Sequence, residues 1–297
     1  MRDEHSPGLV LGFPEYSAPA RDLARAAGLD FAEIEVHRFP DGESRICLPQ
    51  QLPERVFICR SLNQPNEKLV ELMLATATAR KLGASRIALV APYLAYMRQD
   101  KAFHPGEAVS QQIVGGLLAG LYEMLVTVDP HLHRVHRLED AVPCRKAIAL
   151  SATEAMSSYL DGKLDNPLLL GPDEESRQWV AAIARRNSLD FHVASKTRRS
   201  DTDVSISLPP ANYRARHVVL VDDVISTGRT IEVAIRELGQ HQPASITVMA
   251  THALFAGDAL QRLKAAGASQ IWSTDSIPHA TNRIKLAECL GGALAQL

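Results

Sequence analysis

Short apolar runs that alternate with segments of helical period constrain this chain more than any other feature. Leu9–Phe13, Val56–Cys59, Ile87–Ala91 and Leu125–Asp129 read as buried strands. Between them Leu69, Leu72, Met73, Thr76 and Ala79 share one helical face, and Val109, Ile113, Val114, Leu117 and Leu118 share another. Strands separated by helices build βαβ units, hence a parallel sheet with right-handed crossovers. A second series begins after about Ala147, with strands expected at Leu168–Leu170, Phe191–Ala194, Val218–Val221, Ile246–Ala250 and Gln270–Trp272. Its helices are expected over Glu175–Asn187, Thr230–Gly239 and Asp258–Ala266, and a last amphipathic helix over Asn282–Leu297 through Ile284, Ala287, Leu290 and Leu294. Ile34–Leu48 differs: two extended stretches flank Phe39-Pro40-Asp41-Gly42, a hairpin signal. The sequence therefore predicts an α/β protein of two halves joined near Val142–Ala149, each with a mainly parallel central sheet flanked by helices.

A length of 297 residues fits two domains of about 150 each. The formal charge of −2, from 32 basic and 34 acidic residues, lacks the cationic excess of a nucleic-acid binder, so any polyanion site must be a local cluster of cations. Cys47, Cys59, Cys144 and Cys289 are scattered and form no C-x-x-C pair, which suits a reducing cytosol better than a zinc ribbon or a disulfide framework. Met1–Gly8 is polar and charged with no apolar h-region of a signal peptide behind it, and no run of about 18 apolar residues exists to span a membrane. A cytoplasmic protein is expected.

The densest chemical signal is Val218-Val219-Leu220-Val221-Asp222-Asp223-Val224-Ile225-Ser226-Thr227-Gly228-Arg229-Thr230. A buried strand ends in two carboxylates, and a short hydroxyl- and glycine-bearing loop opens a helix. Ligands of open α/β sheets bind at that edge. The free N–H groups of the loop and the helix dipole favour a phosphate there, and Thr227 and Thr230 add hydroxyl donors. Asp222 and Asp223 can accept from sugar hydroxyls. A phosphate at one end and a diol at the other describe ribose 5-phosphate, whereas two aspartates alone would merely end a strand and cap a helix. The segment resembles the phosphoribosyl-diphosphate-binding loop shared by type I phosphoribosyltransferases and ribose-phosphate diphosphokinases, and by itself it does not separate the two.

Four further segments are similar to the diphosphokinases. Arg38-Phe39-Pro40-Asp41-Gly42-Glu43 resembles their R-F-S-D-G-E, which implies that Phe39, Asp41, Gly42 and Glu43 receive the adenine of ATP, commonly that of a neighbouring subunit. Pro92-Tyr93-Leu94-Ala95-Tyr96-Met97-Arg98-Gln99-Asp100 resembles P-Y-x-x-Y-x-R-Q-D, which assigns Arg98 and Gln99 to ATP; arginine offers a fixed fork of donors to phosphate. Asp129-Pro130-His131-Leu132 matches D-L-H-A with two substitutions, and Gly171-Pro172-Asp173 matches S-P-D, so His131 and Asp173 fall at the family's magnesium–ATP site. Ser195-Lys196-Thr197-Arg198-Arg199 resembles the K-R-R or K-K-R start of the catalytic loop, which assigns Lys196 and Arg198 to catalysis and leaves Arg199 as a solvated cation. His133 and His136 have no nearby cysteine to complete a transition-metal set.

The resemblance implies two type I phosphoribosyltransferase-like domains, 1–146 on the ATP side and 147–297 on the ribose 5-phosphate side, with the last helix packing back on the first. It implies diphosphoryl transfer from ATP to ribose 5-phosphate with Mg2+, in a homo-oligomer of two or more subunits. Neither a G-x-x-x-x-G-K-[ST] loop nor a protein-kinase motif set is present. Ser226 departs from the aspartate of many relatives. Arg229 replaces a small residue and would be strained if its backbone needed a positive φ. Lys101–Glu107 lacks the S-R-x-P-I pattern of the regulated members, which leaves control by ADP or phosphate open. Two rival readings stay open: a phosphoribosyltransferase acting on a base, which explains only Val218–Thr230, and a non-catalytic regulatory homologue, which would be expected to lose Lys196, Arg198, His131 and Asp173.

Overall fold

The computed structural model describes residues 8–132, 134–198, 204–295 and 297. The chain divides into two compact units, one holding the chain up to Leu150 together with Leu286–Leu297, the other Ser151–Lys285.

The first unit begins β1 (Leu9–Gly12), α1 (Ser17–Ala27), β2 (Asp30–Glu33), β3 (Glu35–Arg38) and β4 (Ser44–Cys47). It continues with β5 (Arg55–Cys59), α2 (Pro65–Lys81), β6 (Arg86–Ala91), α3 (Ser110–Leu121), β7 (Met124–Val128), α4 (Leu138–Ala141) and β8 (Lys146–Leu150). Six strands form a parallel sheet in the order β2-β1-β5-β6-β7-β8. On one core, Leu11, Val56, Ile58, Leu89 and Leu125 pack with Leu72 and Ala75 of α2 and Leu118 of α3. The predicted hairpin is present: β3 and β4 pair antiparallel with Arg38 opposite Ser44. Val142–Ala149, where the sequence places the join of the halves, contains most of β8, an edge strand paired to β7.

The second unit runs α5 (Thr153–Leu160), β9 (Leu168–Gly171), α6 (Arg177–Asn187), β10 (Phe191–Val193), β11 (Ser195–Arg198) and β12 (Val204–Ser207). Then follow β13 (His217–Ile225), α7 (Arg229–Gln240), β14 (Ser245–Ala253), α8 (Ala259–Ala266), β15 (Gln270–Thr274) and β16 (Asn282–Ile284). Its parallel sheet has the order β10-β9-β13-β14-β15-β16, and β11 pairs antiparallel with β12. Strand for strand, this is the order of the first unit, again with a two-stranded hairpin after the second strand. The two halves share one topology, which the sequence does not show as a short repeat. Ile231, Ala234, Ile235 and Leu238 place the apolar stripe of α7 on the sheet, as their spacing of three and four residues requires.

The expected helix over Asn282–Leu297 is corrected. Asn282–Ile284 is strand β16, and helix α9 spans only Ala287–Leu294. The Asn282 side chain donates to the Thr274 carbonyl (2.5 Å) and Ser273 Oγ (3.0 Å), tying this segment to the edge of the sheet. Helix α9 packs on α1 within the first unit. A Cβ on Gly291 would stand 2.9 Å from the Ala26 backbone, so the close approach requires glycine. Arg55 donates to the Leu294 carbonyl (2.9 Å), satisfying an acceptor at the negative end of the helix, and Arg86 donates to Leu297 O beyond it (3.2 Å).

Candidate active site

In the second unit the carboxyl edge of the sheet gathers four of the predicted groups. Strand β13 is buried from Val218 to Val221, and Asp222 and Asp223 sit near its end, Asp223 buried and Asp222 half-buried. Asp222 Oδ1 accepts from the Asp223 N–H (3.1 Å) and Asp223 Oδ1 from the Val224 N–H (2.8 Å). Next to them, past the end of β9, Asp173 holds Lys196 of β11 at 3.0 Å. Burial first, then the charges of Asp223 and Asp173, push the Asp222 carboxyl well above the ordinary carboxylate range, against the opposing pull of Lys196. Arg198 lies opposite Val204 in the β11–β12 ladder; its side chain, and Arg199, are outside the described residues.

The loop Ser226–Gly228 follows. Gly228 takes the left-handed conformation (φ 72°) that lets β13 turn into α7, and its carbonyl accepts the first helical N–H, from Glu232, at 2.8 Å. Arg229 begins α7 and is not among the positive-φ residues, so the strain considered for it does not arise. Thr227 and Arg229 are exposed, Ser226 and Thr230 half-buried. The loop is braced from behind. The Ala256 N–H donates to the Ser226 carbonyl (3.0 Å), and the Arg262 guanidinium of α8 donates to the Thr227 carbonyl while pairing with Glu232 (3.4 Å) and Asp258 (3.2 Å). Arg262 is far along the chain from the motif, and no local pattern marks it.

In the first unit, the hairpin β3–β4 carries Phe39–Glu43. The Phe39 N–H donates to Glu43 O (2.8 Å), the Gly42 N–H to Phe39 O (3.0 Å) and the Glu43 N–H to Asp41 Oδ1 (3.1 Å). Gly42 adopts φ 94°, Phe39 is exposed, and its ring meets His37 edge-on at 4.7 Å. Arg98 and Gln99 follow β6 on a loop whose Arg98 is exposed; Gln99 accepts from Ser110 Oγ at 3.2 Å. Asp100 accepts from the Arg134 backbone (3.1 Å) and guanidinium (2.6 Å). Half-buried His131 follows β7, whereas His133 is outside the described residues. His131 thus belongs to the first unit and Asp173 to the second.

Among the described residues, no group of three or more His, Cys, Asp and Glu is arranged to chelate a metal ion. A single acidic ligand such as Asp173 suits a hard cation that shares its shell with phosphates and water, as Mg2+ does, better than a transition metal caged by protein. No helix among the described residues is long and apolar enough to cross a membrane, and all four cysteines are free.

Two family profiles cover most of the chain: the N-terminal domain of ribose phosphate pyrophosphokinase over residues 11–121 and the phosphoribosyl transferase domain over 143–286. The fold and the strand-end diacid with its loop therefore define a protein built from phosphoribosyltransferase-type domains. The ribose-phosphate pyrophosphokinase of Methanopyrus kandleri is 32% identical over 292 residues, covering 97% of this chain and 99% of the relative. That of Thermococcus kodakarensis is 32% identical over 265 residues, covering 89% and 93%. The crystal structure of phosphoribosylpyrophosphate synthetase from Mycobacterium smegmatis superimposes with a TM-score of 0.82 over 97% of each chain at 20% identity, a likeness of fold. The chain belongs to the ribose-phosphate pyrophosphokinase family.

Proposed function

We propose that this protein transfers the diphosphoryl group of ATP to the anomeric hydroxyl of ribose 5-phosphate, giving 5-phosphoribosyl 1-diphosphate and AMP for nucleotide biosynthesis. The observation that carries the reading is the grouping of Asp222 and Asp223 at the end of β13 with the loop Ser226–Gly228 and the Lys196–Asp173 pair at 3.0 Å. Asp222 and Asp223 accept from the ribose hydroxyls. Ser226, Thr227, Gly228, Arg229 and Thr230 receive the 5-phosphate at the start of α7, where unpaired N–H groups and the helix dipole favour an anion.

Phe39 stacks on adenine, Asp41 and Glu43 accept from its amine, and Gly42 shapes the turn that presents them. By resemblance to the diphosphokinases, whose corresponding segment commonly serves a neighbouring subunit, we assign its nucleotide to a neighbouring copy in a homo-oligomer. Arg98 and Gln99 contact the triphosphate. His131 and Asp173 are assigned to the metal–nucleotide complex on the family resemblance; Mg2+, when bound, would neutralise charge on the phosphate oxygens. The C1 oxygen of the sugar attacks the β-phosphorus, the bond from that phosphorus to the α–β bridging oxygen breaks, and AMP leaves with the oxygen; the C1 hydroxyl gives up its proton to water. Lys196 and Arg198 offset charge growing on the transferred group, in chemistry that rests on positioning and electrostatics. Both substrates and the free cysteines suit the cytoplasm.

The test is incubation of the purified chain with ATP, Mg2+ and ribose 5-phosphate, followed by chromatography. AMP and 5-phosphoribosyl 1-diphosphate formed only when the sugar is present support the reading. A chain that forms no AMP but consumes 5-phosphoribosyl 1-diphosphate with a base is a phosphoribosyltransferase, and one inactive in both assays fits a regulatory homologue.

A further inference from the structure

The first unit buries a cluster of charges under its hairpin that the reaction above does not use. Arg60, which follows β5, is fully buried; it is stacked 3.7 Å over the Phe13 ring and donates to Glu15 (2.7 Å) and the Lys68 carbonyl (3.2 Å). Its other terminal nitrogen pairs with Glu71 of α2, itself 1% exposed. Glu71 also accepts from Ser44 Oγ at 2.7 Å and lies 3.5 Å from Arg38 Nε. Arg38 and Ser44 face each other in the β3–β4 ladder, at the rung directly beneath the turn Phe39–Glu43.

Burying two charges is costly unless each is paired and fully hydrogen-bonded, and fixed charge pairs specify geometry more than they add stability. Here burial pushes the Glu71 carboxyl up, but hydrogen bonds from Ser44 and Arg60 and the charges of Arg60 and Arg38 outweigh it, holding the carboxyl below its ordinary range. An ionised Glu71 therefore grips both strands of the hairpin at once, on a platform made rigid by Arg60.

We propose that Glu71, held by Arg60, is a positioning residue for the nucleotide: it sets the orientation of the hairpin that presents Phe39, Asp41 and Glu43. The assignment deepens the function proposed above and rests on it. The test compares Glu71→Gln and Ser44→Ala with Thr76→Val, a control on the same helix whose buried hydroxyl bonds Tyr122 at 2.8 Å, away from the hairpin. KM for ATP is expected to rise about tenfold in Glu71→Gln, the scale of one charged hydrogen bond, and less in Ser44→Ala, with kcat and KM for ribose 5-phosphate near wild type. Thr76→Val should lower Tm and leave KM for ATP unchanged. If both hairpin variants leave KM for ATP at the control value, or raise both KM values alike, the assignment is overturned. Ser44→Ala removes only one hydrogen bond, so it remains informative if Glu71→Gln does not fold. If the wild type forms no AMP, the function reading falls separately. Amide exchange across residues 35–47 then decides: faster exchange in Ser44→Ala than in Thr76→Val supports the positioning role, and equal exchange overturns it.

Discussion

Lys196 and Asp222 answer opposite electrostatic demands within one unit. Lys196 stands 3.0 Å from Asp173 and, in the proposed reaction, would exchange that partner for a phosphate oxygen. Lys196→Ala should lower turnover at least about 100-fold, the scale of losing one transition-state donor, while Tm stays near wild type. Steady-state kinetics with a melting curve checks this, and near-intact turnover would remove Lys196 from the chemistry. Asp222 carries a raised carboxyl. A carboxyl whose folded pKa exceeds its unfolded value of about 3.9 binds its proton more tightly in the folded state. Its contribution to stability is complete below the unfolded pKa and is lost as pH rises through the folded one. Asp222→Asn should therefore raise Tm at pH 7.5 and flatten its fall with pH. Melting curves from pH 4 to 8 on both proteins test it; an unchanged slope would contradict the burial argument.

At the scale of elements, the β13–α7 junction is held by a helix from another part of the sequence. Arg262 of α8 ties the Thr227 carbonyl to Glu232 and Asp258. Arg262→Met keeps most of the stem but frees the loop, and should raise KM for ribose 5-phosphate roughly tenfold with KM for ATP unchanged, as one charged hydrogen bond is lost. Substrate-dependence curves for both substrates are the check. The loop itself was legible in the sequence, because an apolar run, paired carboxylates and a Gly-bearing turn are all local signals. Its brace was not, since Arg262 stands 35 residues from Thr227. The same holds for the charges under the hairpin, at positions 15, 38, 60, 68 and 71, and for the Ser44 hydroxyl bonded to Glu71, which converge only in the folded unit. Long buried strands such as β6 and β13 announce themselves as continuous apolar runs. Edge strands β2 (DFAE) and β16 (NRI) do not, because each has a neighbour on one side only and keeps polar residues.

Across the whole molecule, the chain builds most of its first unit, then Ser151–Lys285, and only afterwards supplies the helix that packs on α1. Gly291 is the contact that admits it. Gly291→Val should force α9 off α1 and lower stability by about 1–3 kcal/mol, the usual cost of overpacking. Thermal unfolding reads the loss, and protease cleavage near α9 reports its release; an unaltered Tm would show the interface to be dispensable. In a cell, the order of synthesis gives this return a temporal meaning. Helix α1, whose Ala26 and Ala27 meet Gly291, waits for that contact while the 135 residues of Ser151–Lys285 are made, about 7–27 s at elongation rates of roughly 5–20 residues per second. A nascent polypeptide stalled during that interval carries an unfinished first half, so ribosome pausing before codon 286 should leave products that chaperones retain.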